Sequence, residues 1–474
     1  MKRFKRLYLL LGVLAVACVI TFAVSRYQAQ KEQIRDSGEV ILELPEDSVQ
    51  TLSWDYDGQT LSFHREDGTW TYDEDAAFPV DQERIASLLS LFDQFGVTFV
   101  IEDVEDYGMY GLDDPICTIR LTLDDDQSYT ITLGDFSTMD SQRYVSIGDG
   151  NAYLVPTDPL DSFSVQLRDL IDQDDVPYLA KTEEIRFSGA ENYTVTYEED
   201  SADAYCDEDL FFTQLDGENL PLDTYRVEDY LSAITNLALT NYVTYNADED
   251  DLKDLGLDDP ELVIQVDYLD EGEDGSETPA SFQLSISRDP EEKQAAAQTA
   301  DQQETSEEDE EEEITAYARV GDSKILYQIT GEEYTTLMAA SYDDLRHLEV
   351  LPIDFEKMTS IDISLDGADY TITAQGDGDD RTYLLGEDEV EFDDVLYALE
   401  SLSADSFTDE APTQKEEIRL TVHLDQENLP SMEVVLYRYD GSLCLAQVDG
   451  ESVSLVPRSD VVDLIEAVNA IVLN

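Results

Sequence analysis

The chain has 474 residues and sets 27 Lys and Arg against 110 Asp and Glu, a formal net charge of −83 with only 3 His. That balance excludes a nucleic-acid binder, which needs a positive face for phosphates, and excludes docking of the folded part on anionic lipid. A hydrophobic content of 42% with 9% aromatics also excludes a disordered polyanion, because there is ample material for a core.

In chain order, Lys2, Arg3, Lys5 and Arg6 precede an uncharged, mostly apolar run from Leu7 to Val24. As a helix that run spans about 27 Å, close to the thickness of a bilayer core. The positive-inside rule keeps the basic arm in the cytoplasm and places everything after Tyr27 outside. Residues 1–25 therefore read as a cytoplasmic arm and transmembrane signal-anchor, partnered with the lipid bilayer through residues 7–24, and 26–43 as a stalk. The expected location is the cell membrane, single-pass, with an extracytoplasmic C-terminal region. Two alternatives remain: cleavage at Ala23-Val24-Ser25, or a lipoprotein cut before Cys18. Against them, the apolar run exceeds the usual signal-peptide length and continues past Cys18 through Val19, Ile20 and Phe22.

Beyond the stalk, short strands are predicted at Val49 to Trp54, Thr60 to Arg65 and Thr69 to Tyr72, with Asp67-Gly68 as a hairpin turn. A helix follows, N-capped by Asp81, with Ile85, Leu88, Leu89, Phe92 and Phe95 on one face. Matching helices begin near Asp223 (Tyr230, Leu231, Ile234, Leu237) and near Glu391 (Val395, Leu396, Leu399, Leu402). After each helix come about three strands and a closing helix, at Pro159 to Ile171, Glu332 to Leu345 and Asp460 to Val472.

Sequence echoes tie these segments together as repeats. Gly111-Leu112-Asp113-Asp114-Pro115 returns as Gly256-Leu257-Asp258-Asp259-Pro260, each before an alternating strand. Tyr153-Leu154-Val155-Pro156 is echoed by Ser454-Leu455-Val456-Pro457, and Tyr144 to Asp149 by Tyr317 to Asp322. The expected fold is α+β: an N-terminal transmembrane helix, then three repeated units of antiparallel strands covered by amphipathic helices, at 44–178, 179–354 and 355–474. The second carries an acidic insertion, 288–313, ending in Glu307 to Glu313 and expected to stay disordered or extended.

No hydrolase, metalloprotease, phosphate-loop or dinucleotide motif occurs, so the chain reads as a non-enzyme with no cofactor. His64, His347 and His423 have no partner at ligand spacing, and Cys117, Cys206 and Cys444 read as buried small apolar residues, with one bridge between distant cysteines as the alternative. Asp124-Asp125-Asp126 and Asp377-Gly378-Asp379-Asp380 are the densest acidic clusters, but Arg381 breaks the calcium-loop pattern, so no metal ligands are assigned. Gly111, Leu112, Asp113, Asp114 and Pro115, with Gly256, Leu257, Asp258, Asp259 and Pro260, read as structural turns: glycine permits positive φ, aspartate favours turns, and proline keeps its predecessor extended. The third repeat has Glu410-Ala411-Pro412 instead.

The N-terminal membrane helix, the Tyr110-Gly111-Leu112-x-x-Pro115 and Leu255-Gly256-Leu257-x-x-Pro260 turns, the Tyr144 to Pro156 hairpin and the Arg-x-Leu segments at Arg168 and Arg346 together resemble a bacterial family, the domain of unknown function numbered four-three-four-zero. The resemblance implies a single-pass envelope protein, often associated with ABC transport systems of the gliding-motility auxiliary type, and supplies no catalytic residues. The expected function is a membrane-anchored binding or scaffold protein, with ABC transporter subunits or other envelope proteins as partners. The alternatives are a surface adhesion or ligand-binding module responsive to calcium, and an envelope hydrolase.

Overall fold

A computed structural model describes residues 39–473 apart from 273, 301–313, 377, 379 and 380. The predicted membrane run 7–24, the stalk up to residue 38, the Glu307 to Glu313 run and most of the Asp377 to Asp380 cluster lie outside the described residues. Among the described residues, no helix is long and apolar enough to cross a membrane. The chain divides into two compact units, Met1–Gln173 and Asp174–Asn474. Antiparallel sheets dominate both and helices cover them, so the fold is α+β and strand-rich.

In the first unit, an eight-stranded sheet runs in the spatial order Thr69–Tyr72, Gln59–Glu66, Val49–Tyr56, Cys117–Leu123, Ser128–Ser137, Gln142–Ser146, Ala152–Val155, Phe99–Ile101. Alternation along Val49–Tyr56 turns Leu52 and Trp54 inward. Trp54 stacks on Phe63 with centroids 5.6 Å apart and meets the edge of Phe163 at 5.3 Å. Asp67 and Gly68 take φ of 50° and 90°, as a two-residue type I′ hairpin requires. The covering helix is Gln82–Ser90; Asp81 accepts from the Arg84 N–H at 2.8 Å, and Ile85, Leu88 and Leu89 are buried.

The second unit holds two nine-stranded sheets. One is ordered Glu218–Leu222, Phe211–Leu215, Thr194–Tyr197, Thr182–Gly189, Leu262–Glu271, Glu277–Arg288, Ala316–Val320, Leu326–Ile329, Tyr242–Thr244. The other is ordered Asp388–Val390, Thr382–Leu385, Ala368–Gln375, Met358–Leu365, Glu416–Leu424, Ser431–Arg438, Leu443–Val448, Glu451–Pro457, Ser406–Phe407. Helices Thr224–Thr235 and Asp393–Glu400 precede the crossing to the far edge in the two sheets.

The three large sheets share one path. A central strand is followed outward by its hairpin partners; after the helix the chain adds a short strand at the opposite edge, then returns to the centre and fills outward with four more until it meets that edge strand. The first sheet lacks the outermost front strand. Each central pairing is also bulged one residue from its start, between Val49 and Thr51, Thr182 and Glu184, and Met358 and Ser360.

Several expectations are corrected. Residues 39–42, assigned to the stalk, form a strand paired with Phe95–Val97, because Leu42 has a core to enter. Five strands or more, not about three, follow each covering helix: the short edge strand and four longer ones, with Phe95–Val97 in addition in the first unit. The closing segment from Pro159 to Ile171 is no continuous helix: Leu160–Phe163 ends at Ser164, which takes ψ of 41°, and a separate turn of 3₁₀ helix covers Leu167–Leu170. Glu332 to Leu345 likewise splits into Gly331–Met338 and Tyr342–Leu345. Within the acidic insertion, Pro290–Ala300 is helical, started by Asp289, which accepts from the Glu291 and Glu292 N–H groups at 2.9 and 3.2 Å. The strands flanking the insertion are hydrogen-bonded neighbours, with Arg288 opposite Ala316.

Candidate functional site

The repeated Gly-Leu-Asp-Asp-Pro segments are helix terminators, one in each compact unit. Gly256 follows helix Glu249–Asp254 with φ of 71°; its N–H donates to Lys253 O at 3.2 Å and the Leu257 N–H to Leu252 O at 2.7 Å, a Schellman pair. Gly111, at φ 69°, closes Tyr107–Tyr110 in the same way, with Leu112 N–H donating to Tyr107 O at 3.0 Å. Leu112 and Leu257 are buried; Asp113, Asp114, Asp258 and Asp259 are exposed, and Pro115 and Pro260 lead into the strands. The motif therefore brings no reactive groups together.

The two glycines differ in what a Cβ would meet. At Gly111 it would lie 2.7 Å from the Asp135 carboxyl carbon and 2.8 Å from the Asp135 backbone nitrogen, whereas at Gly256 the nearest atom is the Ser287 Oγ at 3.0 Å. Gly111→Ala is expected to cost the first unit about 2 kcal/mol or more, and Gly256→Ala about 1 kcal/mol in the second. Denaturant titration checks the order; equal losses would mean that left-handed strain alone sets the cost.

Asp124 to Asp126 form a hairpin turn in which Asp125 accepts from the Gln127 N–H at 3.0 Å. Cys117 and Cys444 are buried and Cys206 is half-buried, all as free thiols, and burial first of all pushes them up to about 12, 11 and 12 respectively. Such thiols are poor nucleophiles.

The histidines, unpaired in sequence, each meet an aspartate in space: His64 with Asp73 at 2.6 Å, His423 with Asp362 at 2.9 Å and His347 with Asp209 at 2.9 Å. His64 and His423 sit on open strand surfaces, but His347 is largely enclosed. It lies on the connector between the two sheets of the second unit, where the loop 198–210 of one sheet reaches the other. That loop is fastened by Asn428 Nδ2, which donates to the Ala202 and Ala204 carbonyls at 2.9 and 3.0 Å, and by Lys357 Nζ, which donates to Asp207 at 2.5 Å. Asp209 is 2% exposed; its Oδ2 accepts from the Tyr205 and Cys206 N–H groups at 2.7 and 3.2 Å, and its Oδ1 takes His347 Nε2.

The helix cap completes the cluster. The Asp223 N–H donates to Leu345 O at 3.1 Å, which brings the start of helix Thr224–Thr235 against the connector, while Asp223 Oδ1 caps Tyr225 and Arg226. The equivalent bond in the first unit runs from Asp81 N–H to Leu170 O at 2.9 Å. Leu170 thus matches Leu345, and the two Arg-x-Leu segments do not occupy matching places. Glu349, two residues after His347, is pinned by a bridge to Ser403. Burial alone would lower the His347 pKa, but hydrogen bonds to Asp209 and Glu349 and the charges of Asp209 and Asp223 outweigh it and raise it to about 9. The Glu349 carboxyl is held low, chiefly by His347.

These groups line a cavity of about 600 Å³ whose wall also includes Asp207, Glu208, Asp354, Glu356 and Glu400. It is a cation-favouring pocket, with one imidazole among many carboxylates.

Residues 70–203 and 215–421 match the family model described as Domain of unknown function (DUF4340). The chain belongs to that family. No curated protein and no solved structure matches it. The stretch that matches DUF4340 contains Asp223, His347 and Glu349, and breaks over 204–214, the segment that carries Asp209. Sequence reasoning passed over His347 because its orienting partner lies 138 residues away, a distance no motif search spans.

Proposed function

We propose that this DUF4340 chain is a membrane-tethered, extracytoplasmic binding or scaffold protein, built from three copies of one sheet-and-helix unit and accessory to an ABC-type transport or envelope assembly. The tether and its orientation rest on the basic arm and the apolar run 7–24. The common strand path and the equally placed bulges support the three copies, and family resemblance supplies the transport association. The observation that carries binding is a group of exposed apolar side chains in the first unit: Met109 at 72%, Met139 at 92%, Ile116 and Phe136. Gly134 backs onto the Tyr110 carbonyl and the Ile116 N–H donates to Leu133 O at 2.9 Å, so these side chains come from adjoining segments. On so acidic a surface, an apolar group of this kind suits a protein partner.

Crosslinking the full chain in intact membranes, followed by mass spectrometry, tests the reading. A transporter subunit is expected as the main adduct, reduced about tenfold by Met109→Glu with Met139→Glu, both at exposed positions. Self-crosslinks alone would overturn it.

A further inference from the structure

We infer that Asp223, His347 and Glu349 form a binding site for a divalent transition-metal ion, Zn²⁺ or one of its d-block neighbours. One ligand atom from each residue lies within 4.8 Å of the other two. A tetrahedral ion with bonds near 2 Å holds its ligands about 3.4 Å apart, so closure asks for roughly an ångström of movement. Glu349 can supply it, because its side chain is 48% exposed.

The surroundings prepare the imidazole for this role. Asp209 occupies Nε2 from a buried position and is itself fixed by two backbone N–H groups. Nδ1 is left facing Glu349 Oε2, 3.9 Å away. A carboxylate that holds the far nitrogen is the arrangement that orients metal-bound histidines and raises their basicity. Asp223 needs only Oδ1 for the helix cap, and so keeps a second oxygen for an ion. The nearby cations are otherwise engaged: Arg226 Nε donates to Asp344 O at 2.7 Å, and Lys357 pairs with Asp207 and Asp354.

The donor set selects the ion. Mg²⁺ and Ca²⁺ favour all-oxygen shells, whereas imidazole with carboxylates suits Zn²⁺, Mn²⁺ or Fe²⁺. Three protein ligands leave at least one coordination position open to the 600 Å³ cavity, where water or a ligand donor can enter. Asp223 caps the helix Thr224–Thr235, and His347 and Glu349 belong to the connector, so a bound ion would clip the connector to the start of that helix. This inference does not depend on the tether or on any transport partner.

The test is calorimetric titration of the full chain with Zn²⁺ in excess Ca²⁺, which occupies the loose carboxylate sites of so acidic a protein. One tight equivalent is expected, with Co²⁺ in its place giving the visible absorption of a nitrogen-containing low-symmetry site. Asp223→Asn keeps the helix cap and Glu349→Gln is an exposed change, so both should fold; each, like His347→Gln, should weaken Zn²⁺ on the order of 10- to 100-fold. Absence of the tight equivalent, or its survival unchanged in the Asp223 and Glu349 variants, would overturn the assignment.

Discussion

Asp209→Ala is expected to destabilise the second unit by about 3 to 5 kcal/mol, because it removes the partner of an enclosed histidine and strands the N–H groups of Tyr205 and Cys206. The loss should depend on pH. His347 titrates near 9 when folded, against about 6.5 in an unfolded chain, so its contribution is complete below the lower value and disappears as the pH rises through the upper one. That interval corresponds to roughly 3 kcal/mol. With chelator present, the parent chain should therefore lose stability between about pH 6.5 and 9, whereas Asp209→Ala should show a flat or opposite trend there. Denaturant midpoints measured at several pH values decide the matter; an alkaline slope that persists in the variant would show that another group is responsible. Asp209→Asn, which keeps an acceptor but not the charge, should fall between the two.

Arg143→Ala should have a comparable effect on the first unit. Arg143 is 8% exposed, its Nε donates to both Asp158 oxygens at 2.6 and 2.8 Å, and its Nη1 donates to Gly134 O at 2.7 Å. Asp158 is nearly as enclosed, with its side chain 11% exposed. Removing the guanidinium takes the donor from Gly134 O and leaves the enclosed Asp158 carboxylate without its counter-charge, with the Leu160 N–H still donating to it at 2.9 Å, at a cost of about 3 to 5 kcal/mol. Arg143→Lys should recover only part of this, since the guanidinium reaches the carboxylate and the carbonyl from two separate nitrogens of a rigid plane, which a single ammonium nitrogen does not reproduce. Arg143→Met with Asp158→Asn should be less harmful than Arg143→Met alone, because the stranded charge is gone. A loss below about 1 kcal/mol for Arg143→Ala would mean that water reaches the pair and screens it.

The parts of the fold visible in the sequence were those written in local periodicity. Leu52 and Trp54 alternate, Ile85, Leu88 and Leu89 recur at helical spacing, and Asp81 and Asp223 stand where a cap must be. Gly111 and Gly256 announced a positive φ, though not that each ends a helical turn. The helix Pro290–Ala300 had its own signals, Asp289 as cap, Pro290 in the first turn and alanines after it, and these were outweighed by the acidic composition around them. The break at Ser164 had no comparable local mark. The site was the least legible part: Asp209, Asp223, His347 and Glu349 come from a loop, a helix cap and a connector, and only the pairing of strands distant in sequence assembles them.

One feature of the second sheet bears on how the chain can be altered. Arg288 and Ala316 are held opposite each other by the ladder itself, whatever the segment between them does. For an unstructured connection the closure entropy grows only with the logarithm of length, so each doubling costs about 0.6 kcal/mol. The ladder thus does not set the length of the connection between these two strands, and a reporter domain inserted there need not change the register of the sheet. This junction is a natural port for labelling the protein while its strands and its acidic cavity stay as they are.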